Sequence, residues 1–178
     1  MERLGRRAHY LRLAATVLLI LAAAGLFVSW QSLRSKHLAA EKSLTQIWLA
    51  LDFQKTMIFR QVPLDPDNRP QDAATRRKFD DAFGELRADN LATRVQAIQV
   101  VQGILSPRIP RANARMNAEF PVLAAKYARD LTDSMRDIKN SKTSYNSAVS
   151  DYNREGKSFP WNIAHHLFGF PERLVPLK

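Results

Sequence analysis

The sequence predicts an all-α protein in which an N-terminal transmembrane helix runs on into an antiparallel bundle of three to four long helices. Three observations carry this. Residues 13–30 form an uncharged apolar run. Apolar residues recur at heptad spacing in two long stretches, 31–62 and 117–160. Glycine is scarce, with 6 in 178 residues, and most prolines fall in three clusters, at 63–70, 107–110 and 160–176, so long uninterrupted segments lie between the breakers.

Four segments follow: a basic 1–12, a span 13–30, a bundle 31–160 and an apolar tail 161–178. Segment 1–12 carries Arg3, Arg6, Arg7 and Arg12, with Tyr10 as an interfacial aromatic. The 18 residues of 13–30 make about 27 Å of helix, enough to cross a hydrocarbon core of ~30 Å. Arg12 and Trp30 flank it, the latter as a belt residue. A cleaved signal peptide is the competing reading, with Ala22, Ala23 and Ala24 as a cleavage site. The apolar run continues past them and exceeds the usual h-region, which favours a retained anchor. Arginines before the span slightly outweigh Arg34, Lys36 and Lys42 after it, which places the N-terminus in the cytoplasm and the bundle on the extracytoplasmic side.

From residue 31 to 62 the same helix is expected to continue. Trp30, His37, Leu44, Leu51 and Ile58 make one heptad row, and Leu33, Ala40, Ile47 and Gln54 the other. Pro63 stops it, and residues 63–70 read as a loop with Asp72 as the next N-cap. Residues 73–105 are helical, but the apolar phase jumps between Leu86 and Leu91, which predicts a bend or two helices with Asn90 as cap. Segment 106–110 then reads as the start of a loop in which Arg108, Arg111 and Arg115 form a basic cluster, which reads first as a solvated loop and second as a candidate docking site for an acidic partner.

Residues 117–160 read as one helix. Ala124, Leu131, Ile138, Tyr145 and Tyr152 fall every seven residues, and Ala128, Met135 and Val149 fill the interleaved row, which Lys142 interrupts. Phe159-Pro160 is expected to end it, because the residue before proline is pushed out of α geometry. The tail holds Trp161, Ile163, Leu167, Phe168, Phe170, Leu174, Val175 and Leu177, too much apolar surface to leave in water. It either folds back to cap the bundle or docks on a membrane or larger complex, with Trp161 and Phe168 as contact residues.

The end of this helix also carries a resemblance. Tyr145-Asn146, Val149, Asp151-Tyr152-Asn153 and Phe159-Pro160, followed by Ala164 and Gly169-Phe170, are similar to the C-terminal signature of the LemA family of membrane-anchored helical proteins. Glu41, Gln46, Ile47, Leu51, Ile58 and Val62 sit at the spacing of that family's first helix. The chain departs from the pattern at Leu44, where a tryptophan is usual, and over 56–61. The resemblance implies a divergent member, a single-pass protein of the bacterial inner membrane with a long-helix bundle, and no catalytic activity.

Composition narrows the function further. The formal charge is +10, of which +7 belongs to residues 31–178, with 23 basic and 16 acidic side chains. That favours anionic partners such as lipid headgroups or an acidic protein surface. The basic residues are spread along helices and no nucleic-acid module is present, so nucleic acid is not an expected partner. There is no cysteine, no Gly-rich phosphate loop, no H-E-x-x-H and no G-x-S-x-G. His165 and His166 are adjacent and point about 100° apart, a poor chelating pair. Asp130, Asp133 and Asp137 share a helix face but are interleaved with Lys126, Arg129, Arg136 and Lys139, which reads as ion pairing. No catalytic residue, cofactor, metal or small-molecule substrate is expected. The reading is a non-catalytic scaffold or accessory subunit that docks on another membrane protein or complex. The alternative is a sensor transmitting between bundle and membrane, with its hinge near 84–90; a hydrolase with an unrecognised site ranks third.

Overall fold

The computed structural model describes residues 2–61 and 73–177, with side chains for 11–59 and 74–177. The expected loop over 63–70, the Asp72 cap and the side chains of Arg3, Arg6, Arg7, His9 and Tyr10 lie outside the described residues. Among the described residues every regular element is helical.

Helix α1 spans Glu2–Thr56 and is 55 residues long, about 82 Å at ~1.5 Å per residue. Its apolar N-terminal part is long enough to cross a bilayer, and none of that 18-residue window is buried by the rest of the chain. The hydroxyls there turn inward to the helix itself: Thr16 Oγ1 donates to Arg12 O at 2.9 Å and Ser29 Oγ to Gly25 O at 2.8 Å. A helix in hydrocarbon needs its polar groups satisfied in this way. Beyond Trp30 the two heptad rows turn into the core, with Leu33, Ala40, Leu44, Ile47, Leu51 and Ile58 fully buried. The helix closes in a π turn, Met57–Gln61.

The region after residue 72 is two helices, α2 (Ala73–Glu85) and α3 (Leu91–Leu105). Asn90 caps α3, its Oδ1 accepting from Ala92 N at 2.8 Å and Thr93 N at 3.4 Å. Helix α2 packs on α3, and α3 lies on α1, where Arg94 donates to Thr45 Oγ1 at 3.1 Å. Aromatic edges close this corner: Phe59 meets Phe79 at 5.5 Å and 88°, and Arg87 sits 4.3 Å over the Trp48 ring.

The expected loop after residue 105 is instead a 3₁₀ turn, Ser106–Arg108, leading straight into α4, Ile109–Glu119. Pro107 and Pro110 occupy first-turn positions, where a missing N–H costs nothing, so they start helices rather than break them.

The expected single helix over 117–160 is corrected at both ends. Helix α5 spans Pro121–Glu155. Pro121 forces Phe120 out of α geometry, to φ −137° and ψ 62°, which separates α4 from α5. The same rule that identified Phe159-Pro160 as a stop thus acts 39 residues earlier. At the far end the helix stops at Gly156, ahead of Phe159-Pro160, whose peptide bond is cis. A final helix, α6, spans Trp161–Phe168.

Helices α1 and α5 form the antiparallel spine. Tyr127 Oη donates to Met57 O at 3.1 Å, Ser134 Oγ to Ala50 O at 3.1 Å and Ser141 Oγ to Gln46 Oε1 at 3.4 Å. The row Ala124, Leu131, Ile138, Tyr145 and Tyr152 is buried throughout. The interleaved row is not Ala128 and Met135; Met135 is exposed. Tyr127, Ser134 and Ser141 take those places, one residue earlier, and the phase shifts to Val149 near the end. Small serines let the two backbones approach and give each hydroxyl a partner on α1, so polar residues outcompete the larger apolar ones for the seam.

Candidate functional site

A connected set of side-chain hydrogen bonds lies where α5 meets the tail. Gly169 ends α6 in the left-handed region, φ 68°, a conformation that costs glycine nothing. It turns the chain so that residues 170–177 run extended along α5 in the opposite direction. Phe170 packs its ring 6.2 Å from that of His37.

Two asparagines then grip the tail backbone. Asn153 Nδ2 donates to Leu174 O at 2.9 Å while its Oδ1 accepts from Leu174 N at 2.9 Å. One heptad earlier, Asn146 does the same to Leu177, at 2.9 and 2.8 Å. Each amide side chain matches both polar groups of one tail residue, as a strand neighbour would. The spacing fits geometrically. Seven residues of α-helix rise about 10.5 Å, and the three residues from Leu174 to Leu177 span about 10 Å when extended. Leu174 and Leu177 are buried at these rungs.

The tyrosines provide a second pair of clamps. Tyr145 Oη donates to Val175 O at 2.7 Å, and Tyr152 Oη to Pro171 O at 2.5 Å, with His165 Nδ1 at 3.3 Å. Both rings are fully buried. Burial pushes the hydroxyl of Tyr145 up to about 12, against the opposing pull of Arg94, and raises that of Tyr152 further still. Tyr127 is likewise raised to about 12 by burial. These hydroxyls stay neutral donors.

Around Tyr152 a buried aromatic cluster closes the end of the bundle: His165 meets it edge-on at 5.3 Å and His37 lies at 6.3 Å. Gly156 makes room for His165, since a Cβ there would run into Nε2. One turn on, Glu155 forms an ion pair with Lys36 and accepts from Ser32 Oγ at 2.9 Å. Burial works to raise the Glu155 carboxyl, but the hydrogen bonds from Lys36 and Ser32 outweigh it and hold it below the usual range. Val149 is buried in the seam, Pro160 lies beside Gly25, and Phe159 is exposed.

The other residues singled out in the sequence do not join this site. Arg108, Arg111 and Arg115 sit on the 3₁₀ turn and α4, not in a loop. Arg108 donates to Ile104 O, and burial, with Arg111 close by, lowers its pKa. Arg115 pairs with Glu119 at 2.7 Å, and Arg111 is exposed. Trp161 is half-buried, and Phe168 is half-exposed with its ring 6.2 Å from Trp30. Arg12 is exposed at the foot of the apolar run, and Trp30 is half-buried under Arg34, whose guanidinium lies 5.1 Å over its ring. Asp130, Asp133 and Asp137 line an open groove of about 730 Å³ between α1 and α5, with Asp133 paired to Arg136 at 2.8 Å. Among the described residues no three His, Asp or Glu side chains converge as metal ligands.

Sequence reasoning missed the rungs to Leu174 and Leu177, the Ser134 and Ser141 contacts and the Glu155–Lys36–Ser32 cluster. The first had a legible signal, the identical spacing of Asn146 and Asn153. The others depend on which helix packs opposite, which one chain's periodicity does not reveal.

Comparison with known proteins bears on the same region. No curated protein and no solved structure matches the chain. The LemA family matches residues 85–175, half of the chain, from the end of α2 to the rung at Leu174 and excluding the similar patch in the first helix. The matched segment ends on the tail that the tyrosine–asparagine pairs of α5 hold, and on that match the chain belongs to the LemA family.

Proposed function

We propose that the protein is a non-catalytic scaffold or accessory subunit, held in a bacterial inner membrane by α1, whose extracytoplasmic bundle docks on another membrane protein. The observation that carries this is the unbroken α1: the helix that offers the bilayer an uncovered apolar surface is also the central helix of the bundle core. The bundle is therefore continuous with its anchor and moves with it as one body. The polar groups nearest the family motif support a structural role, because the tyrosine hydroxyls and asparagine amides are occupied by the tail and raised tyrosine pKa values disfavour proton transfer near neutral pH. Exposed Arg111 on α4 is the basic contact offered to an acidic partner surface.

The test is mild-detergent purification of the intact chain, with mass spectrometry of what accompanies it at fixed stoichiometry, repeated with Arg111→Glu. A companion lost with the charge reversal is expected. A chain that is monomeric and alone in every preparation would overturn the scaffold reading. The sensor reading draws on the break between α2 and α3 at residues 86–90. Spin labels across it that report a single distance in every condition would remove its basis.

A further inference from the structure

Helix α6 leaves an apolar face uncovered beside the apolar part of α1. Its inner side is settled, with Ala164 and His165 buried. The outer side is not: Ile163 is 39% exposed, Leu167 61% and Phe168 47%, and Phe159 just ahead of the helix is 76% exposed. Ile163 and Leu167 are four residues apart on α6 and share one side, and exposed Phe159 sits in the turn that leads into the helix.

Position along α1 identifies what covers this face. A Cβ on Gly25 would lie 3.9 Å from Pro160 Cγ, and the Phe168 ring lies 6.2 Å from Trp30. Trp30 is the belt residue at the end of the uncharged run, with Arg34 over its ring and Phe27 5.7 Å below. Gly25 is five residues deeper, about 7.5 Å along the helix. The stretch from Pro160 to Phe168 therefore occupies the last turns of the apolar run. Amphipathic helices that lie on membranes bury their apolar faces about 5–10 Å into the headgroup–acyl boundary. Charge placement is consistent. Lys36, six residues beyond Trp30, and Glu155 pair with each other, and the charged side chains of Arg34, Lys157, Glu172 and Arg173 are exposed rather than buried against the apolar run.

We infer that α6 is a second membrane contact: Phe159, Ile163, Leu167 and Phe168 are immersed in the acyl boundary of the leaflet into which α1 emerges, so that the bundle stands on the bilayer through two points. This rests on α1 crossing the membrane and is independent of any protein partner. Two points fix the tilt of the bundle, which a single helix leaves free.

The chain has no cysteine, so single labels can be placed without background. Full-length Leu167→Cys, Phe159→Cys, Leu19→Cys and Met135→Cys are labelled with an environment-sensitive fluorophore and reconstituted into phosphatidylcholine vesicles containing phosphatidylglycerol. Leu19 lies in the apolar run, and Met135 is exposed on α5 far from it. Quenching by nitroxide lipids is compared with quenching by aqueous iodide. The labels at 167 and 159 are expected to be quenched by lipid nitroxides at a depth of about 5–10 Å, shielded from iodide and blue-shifted relative to 135. Lipid quenching at 19 with iodide quenching at 159 and 167 would overturn the inference while leaving the anchor standing. Iodide shielding at 159 and 167 without lipid quenching, the result for a face covered by a second copy, would overturn it too. Water exposure at 19 would remove both.

Discussion

Replacing Asn153 by leucine removes one whole rung from the tail. The side chain keeps its approximate volume, but Leu174 loses the partner of both its N–H and its C=O. Leu174 is 3% exposed, so neither group can reach water while the tail stays docked. Each stranded group costs roughly 1–3 kcal/mol, beyond the net worth of the bonds themselves. The loss has a ceiling, because the tail can detach and hydrate both groups. Ordering a residue costs about 1–2 kcal/mol in backbone entropy, so docking of this short segment is a small difference between large terms. The expected destabilisation is about 2–3 kcal/mol, read as a fall in the melting temperature of the intact chain in detergent by circular dichroism. Asn146→Leu should cost about the same. The double variant should cost little more than either single one, because the first substitution already frees the tail. Asn140→Leu, on the exposed side of α5, is the control, expected within ~0.5 kcal/mol of the parent. A double variant whose losses add in full, or an Asn153→Leu melt indistinguishable from that of Asn140→Leu, would refute the two-rung account.

Tyr152→Ala empties a fully buried site and strands the Pro171 carbonyl, with an expected loss of about 3–5 kcal/mol. Arg136→Ala removes only an exposed ion pair with Asp133 and should cost under ~1 kcal/mol; equal losses in melts would mean the seam is misassigned. Gly156→Ala puts a methyl into His165 and should cost about 1–3 kcal/mol, relieved by a second change, His165→Ala; a neutral Gly156→Ala would show the contact is not a tight one. Glu155 has a lowered folded pKa, so the stability it contributes is present above its unfolded value near 4.5 and is lost as pH falls through the lower folded value. Because the pair is partly solvated, Glu155→Gln should flatten the acid side of the stability–pH curve by less than ~1 kcal/mol, and an unchanged curve would contradict the Lys36–Glu155 link.

Much of this architecture is legible in the sequence because it depends on local chemistry. The jump in apolar phase between Leu86 and Leu91, with Asn90 ready to cap, predicted a break that is either a bend or a division into two helices, and two helices are present. Both heptad rows of α1 enter the core as their spacing requires. The failures are equally physical. Proline is a breaker or a starter depending on whether its N–H was needed, so Pro107 and Pro110 open a helix where a loop was expected, while Pro121 divides a helix expected to be whole. Met135 looked like a seam residue by hydrophobicity, but Ser134 wins the position because it can donate to Ala50 O and allow closer approach. At the tail, the repeat of tyrosine and asparagine was visible, yet its meaning depended on an extended segment 20 to 30 residues away. Only the match between a helical heptad and three extended residues explains the spacing.

The most direct test of the account is amide hydrogen exchange at Leu174 and Leu177 in the full-length protein in bilayers. If Asn153 and Asn146 hold these amides as the distances of 2.9 and 2.8 Å require, both will exchange slowly, and Asn153→Leu and Asn146→Leu will release them together. Exchange at both positions at the rate of an unstructured peptide, in the unmodified chain, would mean that the tail is not held on α5 and would contradict the central claim.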